Sequence, residues 1–190
     1  MSVDPIDGVT REVIDVIFDG APTDPFGEWF GELYRLPDER EVLPFVFHAI
    51  RFIAVFTRPV LEAGGDEEFL LNQLNEWAQG FVPDKSARLV KFCRAELNDR
   101  STAFKPDEWQ LDDGKDIFGF AELLRDIFVY HSGLMPPVNQ YFYMPASDRV
   151  ASLYKRIFRR IDKLLPGVFQ PILTPIGDFH GYQRHHPRRF

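Results

Sequence analysis

A single cysteine, Cys93, in 190 residues excludes an intrachain disulfide and a CxxC zinc knuckle. Long apolar runs are missing as well. The longest, Phe45 to Phe56, is twelve residues interrupted by His48 and Arg51, against the roughly 20 needed to cross a bilayer. Met1 to Thr10 holds Asp4 and Asp7 and no basic residue, unlike a secretory leader. The expectation is a cytoplasmic protein with no membrane partner. There is no glycine-rich phosphate loop, no G-x-S-x-G elbow, no HExxH and no Glu-x-x-His pair of the kind a di-iron bundle uses. His180, His185 and His186 gather metal-type donors near Asp178, but in a Pro- and Arg-rich terminus where adventitious binding is the simpler account. No metal and no cofactor is therefore expected.

What is present is an ordinary globular composition, 45% hydrophobic, 27% charged and 15% aromatic. At this size roughly 70% of the unfolded chain's surface can be buried, enough for a core that needs no staple. The net charge of −7 is unevenly spread. Residues 1–148 carry 27 acidic and 13 basic side chains, a balance of −14; residues 149–190 carry 2 and 9, a balance of +7. Uniform coating of a nucleic acid is disfavoured, while a local anion-binding surface near the C-terminus stays open. So does the alternative that the basic segment packs on the chain's own acidic part or on a second copy.

The apolar spacing predicts an all-α fold: a helical domain over 1–167 and a Pro/Arg/His-rich tail over 168–190 that is not helical. Expected helices are Val9 to Phe18 near Thr10, Phe26 to Leu36 opened by Asp24 and Pro25, and a buried central helix over Phe45 to Phe56. Further ones start at Asp66, with Leu70, Leu74, Trp77 and Phe81 inward, and after Asp84, with Ser86, Leu89, Val90, Cys93 and Leu97 inward and Lys85, Arg88, Lys91, Arg94 and Asp99 mostly outward. A turn is expected at Pro106 to Leu111, a long helix over Asp116 to His131, and an extended aromatic segment over Val138 to Met144. The last helix, capped by Ser147 and Asp148, turns Val150, Leu153, Tyr154, Ile157, Phe158, Ile161, Leu164 and Leu165 inward and Arg149, Arg156, Arg159, Arg160 and Lys163 outward. On these patterns Cys93 reads as a small buried hydrophobe, not a nucleophile.

One segment carries a possible chemistry. Leu124 to Leu134 contains Arg125 followed by the polar Asp126, then His131 after five intervening residues, then the glycine exit at Gly133. This resembles the Arg-x4-6-His signature of the HEPN superfamily, an all-α group. The resemblance covers about twenty of the 190 residues. With four intervening residues, the frequent form, Tyr130 would stand at the histidine position. A six-residue step turns an α-helix by roughly 600°, so Arg125 and His131 converge only if the last turn loosens near Gly133.

The resemblance implies a metal-independent ribonuclease whose sites form across a homodimer, acting as a toxin or defence component. In that reading Arg125 and His131 are the reacting pair, supported by Asp126 and Tyr130. Histidine would move a proton near neutral pH and arginine would clamp a phosphate. Arg156, Arg159 and Arg160 would bind RNA phosphates. Equally open is that Arg125 pairs with Glu122 or another acidic neighbour and that His131 caps its helix. The rival function is a non-catalytic helical interaction module, an immunity or adaptor protein whose acidic body holds a basic partner protein.

Overall fold

A computed structural model of the chain describes residues 8–62, 68, 72, 82–96, 114–143, 148–172 and 180–185. The inward residues of the helix expected from Asp66, the turn at Pro106 to Leu111, Ser147, Asp178 and His186 lie outside them. The fold is α/β. Among the described residues there are four helices and eight strands of a mixed sheet, which corrects the all-α expectation and the helical bundle with it. The chain divides into two compact units, Met1–Phe56 with Lys91–Ile127, and Thr57–Val90 with Phe128–Phe190.

The largest correction falls on the apolar run. Where one central helix is expected, β3 (Glu41–Phe47) and β4 (Ile50–Thr57) form an antiparallel hairpin, with Phe47 opposite Ile50. Valine, isoleucine and phenylalanine suit a pleated surface, and β3 is buried at every residue, so the in–out alternation that betrays a strand is absent. The turn is His48-Ala49, both at positive φ (50° and 60°), the backbone of a two-residue hairpin connection that usually carries Asn-Gly. Neither the pattern nor the turn chemistry announces a hairpin.

Phe26 to Leu36 is likewise not helical. It holds β1 (Glu28–Phe30) and β2 (Tyr34–Arg35), both antiparallel to β3. Asp24 does accept the amide hydrogen of Phe26 at 2.9 Å, but it closes a turn, with the Gly27 N–H donating to the Asp24 carbonyl at 3.0 Å. Asp-Pro serves a turn as readily as a helix start. The helix expected after Asp84 is β5 (Arg88–Arg94). Its apolar residues at 89, 90, 92 and 93 fit a helical face and a strand equally, and the two-residue period shows only as buried Arg88, Val90 and Phe92.

In the first unit, α1 (Arg11–Ile17), capped by Thr10 as expected, lays Ile14, Ile17 and the following Phe18 on Val42, Val46, Ile53, Val55 and Cys93. The opposite face of these strands is aromatic. Phe120 of α3 (Gly114–Leu134) meets Phe45, Phe47, Phe52 and Phe92 with ring centroids 5.2 to 5.8 Å apart. Gly119 permits that approach: a Cβ there would stand 3.0 Å from the Glu28 carboxylate and 3.2 Å from the Phe47 ring.

The second unit begins with α2 (Pro59–Glu62). Its strand order is β5, β6 (Gln140–Tyr143), β8 (His180–Arg184), β7 (Phe169–Pro171), parallel at the first pairing and antiparallel thereafter. Strand β6 lies inside the segment expected to be extended, and the described residues after Gly167 are the non-helical β7 and β8. The long helix and the last one appear close to their expected bounds, as α3 and α4 (Asp148–Leu164). Of the inward set of α4, Val150, Tyr154, Ile157, Phe158 and Ile161 are buried as the period requires, whereas Leu153 and Leu165 are half-buried and Leu164 is exposed where the helix ends.

Candidate nucleic-acid interface

Helix α3 runs unbroken from Gly114 to Leu134, so it does not loosen before His131, and the six-residue step leaves Arg125 and His131 about 120° apart around the axis. Each side chain is engaged locally. Arg125 donates from Nε and Nη2 to the two carboxylate oxygens of Asp126 at 2.7 and 2.9 Å. That bond, aided by the charges of Asp126 and Glu122 against some desolvation, holds the guanidinium pKa above its usual value. His131 is fully buried, with Nδ1 2.9 Å from the Tyr141 hydroxyl and its ring edge-on to the phenol. Tyr130 is half-buried. The candidate residues are thus brought together as Arg125 with Asp126, while His131 takes a partner that sequence reasoning missed.

The C-terminus of α3 is held by another residue the sequence did not single out. Arg184 donates from Nη2 to the Ser132 carbonyl at 2.8 Å, and its guanidinium lies over the Phe169 ring at 5.3 Å. A cation on the last carbonyls is the arrangement the helix dipole favours. His131 stands in that last turn too, but its ring nitrogen faces Tyr141.

The cationic face of α4 lies elsewhere in the second unit. Burial of Tyr154, Phe158 and Ile161 turns Lys155, Arg159 and Lys163 outward at four-residue steps, each rising about 6 Å. Of the three arginines expected to bind anions, Arg159 is exposed, whereas Arg156 and Arg160 are half-buried and have interactions of their own.

Strand β8 sets rings beside this row. His180, Tyr182 and Arg184 alternate with Gly181 and Gln183, so they share one face, and register places His180 opposite Tyr143 and Tyr182 opposite Tyr141. The Tyr182 ring stacks on Phe158 of α4 at 3.7 Å between centroids. Tyr143 stacks on Tyr154 at 3.8 Å, and His180 lies parallel to Tyr143 at 5.4 Å. Gly181 is required at its place, because a Cβ would come within 2.7 Å of the Phe142 ring on the other face.

The electrostatics tie helix to strand. Burial lowers the His180 pKa and the Lys155 charge lowers it further. Burial raises the Tyr182 phenol, and the nearby Arg159 opposes that. Lys155 and Arg159 are exposed cations, and His180 and Tyr182 are half-buried rings. The alternation His-Gly-Tyr-Gln-Arg was legible in the sequence; what hid it was the reading of residues 168–190 as a tail.

No family model, curated protein or solved structure matches the chain. The resemblance at Leu124 to Leu134 thus rests on the residues quoted for it. Among the described residues no helix is long and apolar enough to cross a membrane, and no three His, Cys, Asp or Glu side chains group to hold a metal ion.

Proposed function

We propose that this protein binds single-stranded RNA without cleaving it, through the outer face of α4 and the half-buried rings of β8. The observation that carries the reading is the row of exposed cations Lys155, Arg159 and Lys163 on the helix whose Tyr154 and Phe158 stack on the Tyr143 and Tyr182 rings of the sheet. Phosphate contacts supply most of the affinity of such surfaces, and partly exposed aromatic rings add sequence-tolerant stacking that only unpaired bases can reach. Lys155, Arg159 and Lys163 continue as a row that a strand's backbone can follow. Cleavage by Arg125 and His131 finds no support in a wholly buried imidazole.

Anisotropy of a labelled oligouridylate is the direct test. We expect binding that weakens steeply with salt, and in a Lys155→Ala, Arg159→Ala double variant an affinity about tenfold or more lower, with a log–log salt slope shallower by roughly 1.4, or about 0.7 for each lost contact. Wild-type protein that leaves the strand free at low salt, or a double variant indistinguishable from it, overturns the reading.

A second reading keeps one observation of its own. The first unit carries 20 acidic and 10 basic side chains, a balance of −10, against 9 and 12, or +3, for the second. An acidic unit of this kind suits a basic partner protein. Salt-sensitive capture of such a partner that survives the double substitution on α4 would favour it.

A further inference from the structure

Among the described residues, two stacks of rings run from α4 to β8. In the first, Tyr154 stacks on Tyr143 at 3.8 Å and 14°, and Tyr143 lies parallel to His180 at 5.4 Å and 15°. In the second, one helical turn on, Phe158 stacks on Tyr182 at 3.7 Å and 7°. Tyr154, Tyr143 and Phe158 are buried, whereas His180 and Tyr182 are half-buried. One face of each half-buried ring is taken by its stacking partner, so what solvent reaches is the rest of that ring. Helix and strand therefore run side by side in the same direction. Four residues of α4 rise about 6 Å and two of β8 about 7 Å, so the two stacks follow one another at nearly a single interval.

The exposed cations of α4 keep the same interval. Lys155 and Arg159 directly follow Tyr154 and Phe158 in the chain, and Lys163 stands one turn further. Asp162, the exposed acid among them, accepts the Gly167 amide hydrogen at 3.2 Å. An unstacked strand offers one phosphate and one base per nucleotide, and when extended it repeats at about this interval. We propose that two successive nucleotides lie along α4 and β8, with their bases stacked on His180 and Tyr182 and their phosphates on the cation row, so that the site recognises two adjacent unpaired bases and not charge alone. The inference rests on the RNA-binding reading above and deepens it. The juxtaposition that carries it is that of two half-buried rings and a row of exposed cations at one common repeat. Every base has a ring face to offer, so such a site tolerates any sequence.

The test uses the full chain at roughly pH 8, where an imidazole is uncharged. It compares a labelled hexauridylate with an abasic ribose-phosphate strand of the same length. The abasic strand keeps every phosphate, so we expect it to bind about twentyfold or more weaker with an unchanged salt slope, the loss of two stacked bases at about fivefold or more each. His180→Ala and Tyr182→Leu should each lose about one such factor on the uridylate and little on the abasic strand. His180→Phe and Tyr182→Phe keep a ring and should bind the uridylate as wild type does, which separates stacking from a fault in folding. An abasic strand held as tightly as the uridylate, variants without the ring that keep full affinity, or variants with a ring that are as weak as those without, overturn the inference and leave the RNA-binding reading standing. A uridylate that stays free even at low salt overturns both.

Discussion

His131 and Tyr141 are joined across the second unit by a 2.9 Å hydrogen bond between Nδ1 and the phenolic hydroxyl, and both side chains are inaccessible to solvent. Phe128 and Phe169 close on the same phenol from α3 and β7, with centroids 5.7 and 5.8 Å away. A polar pair so placed fixes how the end of α3 meets the sheet of its own unit. His131→Ala should therefore act on stability. It removes a buried ring and its hydrogen bond to the Tyr141 hydroxyl, together worth about 2–4 kcal/mol. Tyr141→Phe, which keeps the packing and removes only that hydrogen bond, should cost roughly 1–3 kcal/mol. Urea unfolding of the two variants checks the order; a His131→Ala protein as stable as wild type refutes a structural role.

Cys93 offers a chemical check on the first unit. It lies in the core beneath α1, and burial pushes its thiol up to about 12. The thiolate is the reactive form, so the native protein should resist thiol reagents at neutral pH and react only on unfolding. Rapid labelling of folded protein would show that this core opens readily.

The hairpin turn gives a stabilising substitution. Ala49 sits at φ 60°, a conformation that a Cβ disfavours, and its side chain is exposed. Ala49→Gly relieves about 1 kcal/mol of that strain, partly offset by the greater freedom of glycine in the unfolded chain. A higher urea midpoint is the expected result, and a lower one would mean that Ala49 does not hold the left-handed conformation.

That turn also explains how much of the fold could be read from the chain. Helices α3 and α4 are long and one-sided, so Phe120, Leu124 and Ile127, and then Tyr154, Phe158 and Ile161, repeat often enough to separate a helix from a strand. Strands β3 and β4 are covered on both faces, by α1 and by Phe120 of α3, and a run apolar on both sides has no period to read. With His48-Ala49 in place of Asn-Gly, nothing divides the run. The candidate site was legible to the same extent. Arg159 stands out on a clean helical face, but the side chain opposite it comes from a strand more than twenty residues later in the sequence. Adjacency in sequence does explain Arg125, whose guanidinium turns to its immediate neighbour Asp126.

Gly181 tests the strand that carries the rings. Its position opposite Phe142 leaves no room for a methyl group, since the added carbon would stand 2.7 Å from two atoms of that ring and 2.9 Å from Ile172. Gly181→Ala should destabilise the protein by about 1–3 kcal/mol through overpacking. It should also disturb His180 and Tyr182 on either side, so RNA affinity and stability should fall together. A variant that folds normally would mean β8 can shift away from Phe142.

Stability itself should depend on pH through His180. Burial, then Lys155, holds its pKa below the ordinary value, whereas in the unfolded chain it titrates near 6.5. Above about pH 6.5 neither state binds the proton, and the group's contribution is fully present. As the pH falls below that value the unfolded chain takes the proton first, so stability declines until the pH has passed the folded-state pKa and then levels off with respect to this group. Lys155→Ala removes one of the two causes, which should raise the folded-state pKa and make the decline smaller. Urea midpoints measured from roughly pH 8 down to pH 5, for wild type and for this variant, give the comparison. A wild-type midpoint that rises on acidification, or a variant with the larger decline, would contradict the lowered pKa of His180 and the part that the Lys155 charge has in it.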